Sequence, residues 1–242
     1  MTDNGRPWVH EMVLIHRVFR REFKLAPDLV RAVRAEDRRG VARVARHLQF
    51  VLHGLHVHHS GEDELLWPLL AGRAELDASL LARMQTQHDT LALTTAEMSD
   101  ALSRWRLSVG SETVAALIAA AERVHGLLVT HLDEEEQRVL PLVTTWITPA
   151  EWGRLAQHGF TRMPKSALFR QLGAILEDAD SVERRNFLAT LPPPVRLLWA
   201  ALGRRRYDRY TVQLRGHVEP NTRPRAPGSG TDVSEEQADE LS

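Results

Sequence analysis

Along residues 48–69 apolar positions fall at alternating three- and four-residue steps, and two polar residues interrupt that line. Leu48, Val51, Leu55, His58, Glu62, Leu65 and Leu69 form one stripe, the seam that a bundle helix turns toward its partners. His58 and Glu62 therefore lie on the core side, one turn apart on one face. The pattern returns 73 residues later, where Leu117, Ala121, Val124, Leu128, His131, Glu135 and Leu142 follow the same alternation, broken by Arg138. Pro68 and Pro141 keep this offset and are expected to mark helix ends in register.

Two further stripes complete the set. Val9, Met12, His16, Phe19 and Phe23 form one, and Leu81, Met84, His88, Leu91, Thr95 and Met98 form another. In order, then, four stripes carry His, His-x-x-x-Glu, His, His-x-x-x-Glu. The periodicity predicts an all-α protein: an antiparallel up-down-up-down four-helix bundle with extra C-terminal short helices. The first helix runs from about Trp8 past Phe23, and Pro27 kinks it or starts a new piece. Gly40 precedes a long second helix through Leu70, closed by Ala71-Gly72. A third spans Leu76 to Arg106 and a fourth Glu112 to Trp146.

The bundle is expected over residues 1–147, a C-terminal helical extension over 148–216, and a disordered tail over 217–242. Thr148, Pro149 and Glu151 read as a capped helix start, with breaks at Met163-Pro164 and Pro192-Pro193-Pro194. The tail is rich in Pro, Gly, Ser and acids.

Composition narrows the chemistry. The chain has no cysteine, which removes thiolate metal sites, Fe–S clusters and a cysteine nucleophile and leaves histidine and carboxylate as candidate ligands. Net charge is −1 and pI about 6.9, so no basic footprint argues for nucleic acid. The N-terminal stretch lacks the apolar core of a signal peptide, no membrane span is expected, and a cytoplasmic location is the default.

Each motif alone has an ordinary explanation. A single histidine on an apolar face is usually a hydrogen-bonded core residue, and a single His-x-x-x-Glu is usually a surface pair. Two glutamates in register on buried seams are different, because each needs a cation or a proton. Apart from Arg138, the stripes contain no Lys or Arg. Metal binding is thus the more economical account, with His16, His58, Glu62, His88, His131 and Glu135 as ligands. His59, Asp63, Glu134 and Glu136 fall off the stripes and are expected to be solvated, or at most to orient ligands. A ferritin-like Glu-x-x-His set is disfavoured: only Glu122-x-x-His125 fits, and His125 lies about 240° round from His131.

At these residues the chain resembles the hemerythrin-like family, the HHE cation-binding domains. The resemblance rests on His16 in IHRVFRREF, on HHSGEDELLWP, on His88 in QHDTL and on HLDEEEQRVLP, in that order over roughly residues 8–147. With its TPAEW and LPPPVR segments the chain looks like bacterial, particularly actinobacterial, members. The resemblance implies a non-haem di-iron centre bridged by carboxylates and by an oxo or hydroxo group. His16 and His58 would bind one iron and His88 and His131 the other, with Glu62 and Glu135 bridging.

It departs from the oxygen carriers in having Met84 where they have a second histidine, and Glu135 four rather than five residues after its histidine. The expected site is therefore poorer in nitrogen and more symmetric. Of roughly twelve positions on two six-coordinate ions these residues fill about eight, leaving room for O2, hydrogen peroxide or NO. The implied function is to bind or turn over such a ligand, in sensing or detoxification, with catalase-like scavenging as one form. An iron- or redox-responsive regulatory protein is the alternative, using a protein partner or homodimer contact through the C-terminal helices near Arg204–Arg206. A structural zinc or manganese site is a third reading. Tyr207 and Tyr210, the only tyrosines, lie outside the bundle segment, and no sequence signal places them near the metals.

Overall fold

A computed structural model describes residues 5–74 and 78–216. Among these there is no strand, and the four predicted long helices are present. They are α1 (His10–Arg31), α2 (Arg38–Gly61) continued by α3 (Trp67–Ala71), α4 (Ala78–Leu107), and α5 (Ser111–Glu134) continued by α6 (Leu140–Trp146). Helix α1 packs on α2 and α5, and α4 packs on α2 and α5, which closes an up-down-up-down ring. The stretch Ser111–Trp146 has the length and hydropathy of a membrane span by composition, yet it lies between α1 and α4 and turns His131 and Glu135 inward.

Two expectations change, and at Pro27 one of two alternatives drops out. Helix α1 runs through Pro27 without a second start, because Leu29 and Val30 continue its buried face and outweigh the single backbone bond that proline forfeits. Helix α2 begins before Gly40, at Arg38, since the Asp37 carboxylate caps it by accepting from Gly40 N–H at 2.9 Å. Neither Pro68 nor Pro141 ends its helix. A π-helical turn, Glu62–Leu66 in one case and Glu135–Val139 in the other, precedes each proline, and the helix then resumes.

Each π turn starts on a seam glutamate and adds a residue, so the buried face shifts by one position beyond it. Leu66 and Leu70 are buried, rather than the expected Leu65 and Leu69. In the repeat, Val139 and Val143 take the core places expected of Arg138 and Leu142. The misfit of Arg138 on the apolar line is thereby resolved: it faces outward and pairs with Glu134.

The C-terminal extension comprises α7 (Pro149–Arg162), α8 (Leu168–Glu177), α9 (Ser181–Thr190), α10 (Pro193–Leu198) and α11 (Arg204–Arg215). Thr148 and Glu151 form the expected capping box of α7, and the breaks fall at Met163 and Pro192. Helix α7 lies on α2, and α8 lies on α1 and α11. Leu172, Ile175 and Tyr207 of the extension bury Leu14 of α1 in a shared cluster. The predicted tail, 217–242, lies outside the described residues, as does Leu76 at the expected start of the third helix.

Candidate metal centre

The bundle interior is apolar above and below one polar layer. Phe19, Leu55, Leu91 and Leu128 belong to the cluster on one side; Met12, Leu66, Met84 and Val139 belong to the cluster on the other. The six seam residues meet in between. His16 Nε2 lies 3.1 Å from His58 Nε2, and His88 Nε2 lies 3.2 Å from His131 Nε2. Glu62 stands between the pairs, with Oε1 3.3 Å from His58 and Oε2 3.5 Å from His88. Across from it, Glu135 Oε2 is 3.4 Å from His16 and 3.8 Å from His131. Both glutamates are 0% exposed, which makes an unpaired charge on either one costly.

His59 belongs to the cluster, contrary to the expectation that it is solvated. Its ring stacks on His88 at 4.2 Å and meets His131 edge-on at 5.1 Å. The cause is the width of the inner arc of α2. This helix touches α1 on one side and α4 on the other, so two residues about 100° apart both point inward. His58 faces His16 and Phe19, and His59 faces His88. The ligand atoms of His59, Glu62, His88 and His131 lie within 4.8 Å of one another, as do those of His16, His58, Glu62 and Glu135. Glu62 is common to both groups. The expected symmetry is therefore broken, with three nitrogens and one carboxylate on one side and two of each on the other. Met84 on α4 supplies no nitrogen, and His59 on α2 offers one in the same layer.

Asp63 and Glu136 also face the site rather than solvent alone. Asp63 accepts from His88 Nδ1 at 2.7 Å, Glu136 accepts from His16 Nδ1 at 2.9 Å, and Gln87 Oε1 accepts from His131 Nδ1 at 2.9 Å. Glu134 stands one step further out and holds Gln87 and Arg83. A signal for the two acids was present in the sequence: Asp63 and Glu136 each follow a seam glutamate and share the 73-residue offset.

These acceptors fix the tautomers. With the proton on Nδ1, the Nε2 atoms of His16, His88 and His131 turn lone pairs inward. In the His88–His131 pair two such lone pairs face each other at 3.2 Å, an arrangement that a shared cation turns from repulsive to attractive. Both carboxylate oxygens of Glu62 and of Glu135, and Nε2 of His59, have no hydrogen-bond partner. Burial, and then Glu135 and Asp63, push the Glu62 carboxyl well above its ordinary value; burial also raises Glu135. Burial pushes His58 and His59 well below theirs and His131 down to about 3. Proton-free nitrogens beside carboxylates that resist ionising are what a cation would correct. The donors present fit a metal.

Buried histidines and carboxylates, gathered from four helices with no Lys or Arg paired to the central glutamates among the described residues, define a metal-binding helical bundle. The family model of the hemerythrin HHE cation binding domain matches residues 9–143, and the chain belongs to that family. Searches of curated proteins and of solved structures found no match.

Proposed function

We propose that the protein holds two iron ions and uses them to bind or turn over a small oxidant, O2, hydrogen peroxide or NO, in sensing or detoxification in the cytoplasm. The observation that carries this is the set of inward Nε2 lone pairs around four orphaned carboxylate oxygens. His59, Glu62, His88 and His131 would hold one ion; His16, His58, Glu62 and Glu135 would hold the other. Iron supplies a redox pair of Lewis acids, and with four side-chain atoms for each ion about two positions on each remain for a small molecule.

The chain's own residues do the rest. Asp63, Glu136 and Gln87 hold the rings and keep Nε2 free of a proton. The apolar clusters on both sides exclude water, which strengthens every charge interaction within the layer.

The test is metal content and absorption after iron-replete expression. Two irons per chain with near-ultraviolet ligand-to-iron bands are expected, and both should be lost in His58→Ala and Glu135→Ala. Colourless protein with stoichiometric zinc would overturn the reading. Oxygen evolution on adding peroxide then separates turnover from simple binding.

One observation favours the switch reading as the second. Helix α7 rests on the π turn that carries Glu62, so a change at that carboxylate has a path into the extension. A metal-dependent change in hydrogen exchange confined to α7 would support it.

A further inference from the structure

A cavity of about 160 Å³ lies under the C-terminal helices, in the groove between α1 and α2. Its α1 wall runs from Glu11 through Ile15, Val18 and Phe19 to Glu22, a stretch of helix about 16 Å long. Antiparallel to it, α2 contributes His47, Phe50, Val51 and His58, and Met163, Ile175 and Tyr210 close the roof. The middle is apolar and the ends are polar.

The end near α11 has a nitrogen donor to spare. Arg215 Nε has no hydrogen-bond partner, although Arg215 is only 8% exposed. His47 Nε2 lies 3.2 Å from Glu22 Oε2, while His47 Nδ1 bonds the Tyr210 hydroxyl at 2.7 Å. The charge of Glu22 is already met by His47 and by Arg21 and Arg215, the last two at 2.8 Å. Arg170 lines the same end, half-buried, with its guanidinium 4.2 Å over the Phe50 ring, and no described carboxylate pairs with it. An unpaired guanidinium beside an unused N–H recognises an anionic acceptor.

We propose that this cavity binds a small apolar monocarboxylate, such as a medium-chain fatty acid or an aryl-alkyl acid, with its carboxylate on Arg170 and its tail directed toward His58. The ligand would then lie against the outer side of a seam histidine. Binding does not depend on which metal the layer holds, so it stands or falls separately from the iron reading.

Octanoate and octan-1-ol, titrated into the full chain with and without metal and followed by calorimetry, provide the test. Saturable octanoate binding is expected, with octan-1-ol weaker by about tenfold or more, the worth of a charge-assisted contact. Arg170→Gln should weaken octanoate by a similar factor and leave octan-1-ol unchanged. Gly54 also lines the cavity, and a Cβ there would sit 3.6 Å from Phe19 and 3.9 Å from Met163. Gly54→Leu should therefore fill the space and abolish binding of both ligands, with helicity and metal content retained. No saturable octanoate binding, equal affinity for the two ligands, or octanoate binding that survives Gly54→Leu would each overturn the proposal.

Discussion

Glu22 is a buried carboxylate that keeps its charge. Burial opposes ionisation, but His47, Arg21 and Arg215 outweigh it and hold the group at about 2, against an ordinary value of 4.5. A depressed folded-state value stabilises the fold fully above the ordinary one, and the contribution disappears as pH falls from 4.5 toward 2. The shift corresponds to about 3 kcal/mol. Urea unfolding across this pH range should show that loss in the parent protein, and Glu22→Gln should make it shallower while lowering stability at pH 7, with Glu183 and Glu136 still contributing. At the metal layer, Asp63→Ala removes the acceptor that orients His88 and should weaken metal binding about 10–100-fold by competition with a chelator. Helical phase made His58 and Glu62 legible in the sequence. It could not show His59, because one seam line per helix understates an arc that faces two neighbours.

At the scale of elements, the two π turns and the seating of α7 matter most. Gly61 lies where α7 crosses α2, and a Cβ there would come within 2.9 Å of Leu155 and 3.1 Å of His158. Gly61→Ala should thus gain less than the ~1 kcal/mol of its better helix propensity, because Leu155 and the His158 ring must give way. Gly126 is an exposed interior position of α5 with nothing near its missing Cβ, so Gly126→Ala should stabilise by about 0.8–1 kcal/mol. Chemical denaturation of the two variants compares a glycine needed for close approach with one that is not. The helices themselves were legible from their period, and the start of α7 from its capping box. The π turns were not, since the prolines that follow them read equally well as helix ends. The single clue was Arg138 on an apolar line.

Across the whole molecule, the first and last described helices are clasped together. Arg215 of α11 bonds Glu22 of α1 at 2.8 Å and also pairs with Glu177 of α8 at 2.5 Å. Arg215→Met should cost about 1.5–3 kcal/mol through lost charge-assisted bonds to Glu22 and Glu177, since Arg21 and His47 still hold Glu22. The clasp and the cavity beside it had no signature in the sequence. They arise from contacts between different helices, 193 positions apart for Glu22 and Arg215, where local periodicity carries no information.

The internal repeat is imperfect at one informative place: the position 73 residues after His59 is Leu132. The chain thus reads as two fused helical hairpins whose halves have drifted apart at a single donor. If the layer holds two ions, the two differ in ligand field. The carboxylate-rich side favours the higher oxidation state, and the imidazole-rich side the lower. Metal titration of the stripped protein should then give two resolved affinities, and His59→Leu should weaken one of them and leave the other unchanged. Ordered loading, and electrons that settle preferentially on one ion, would follow from that one unmatched histidine.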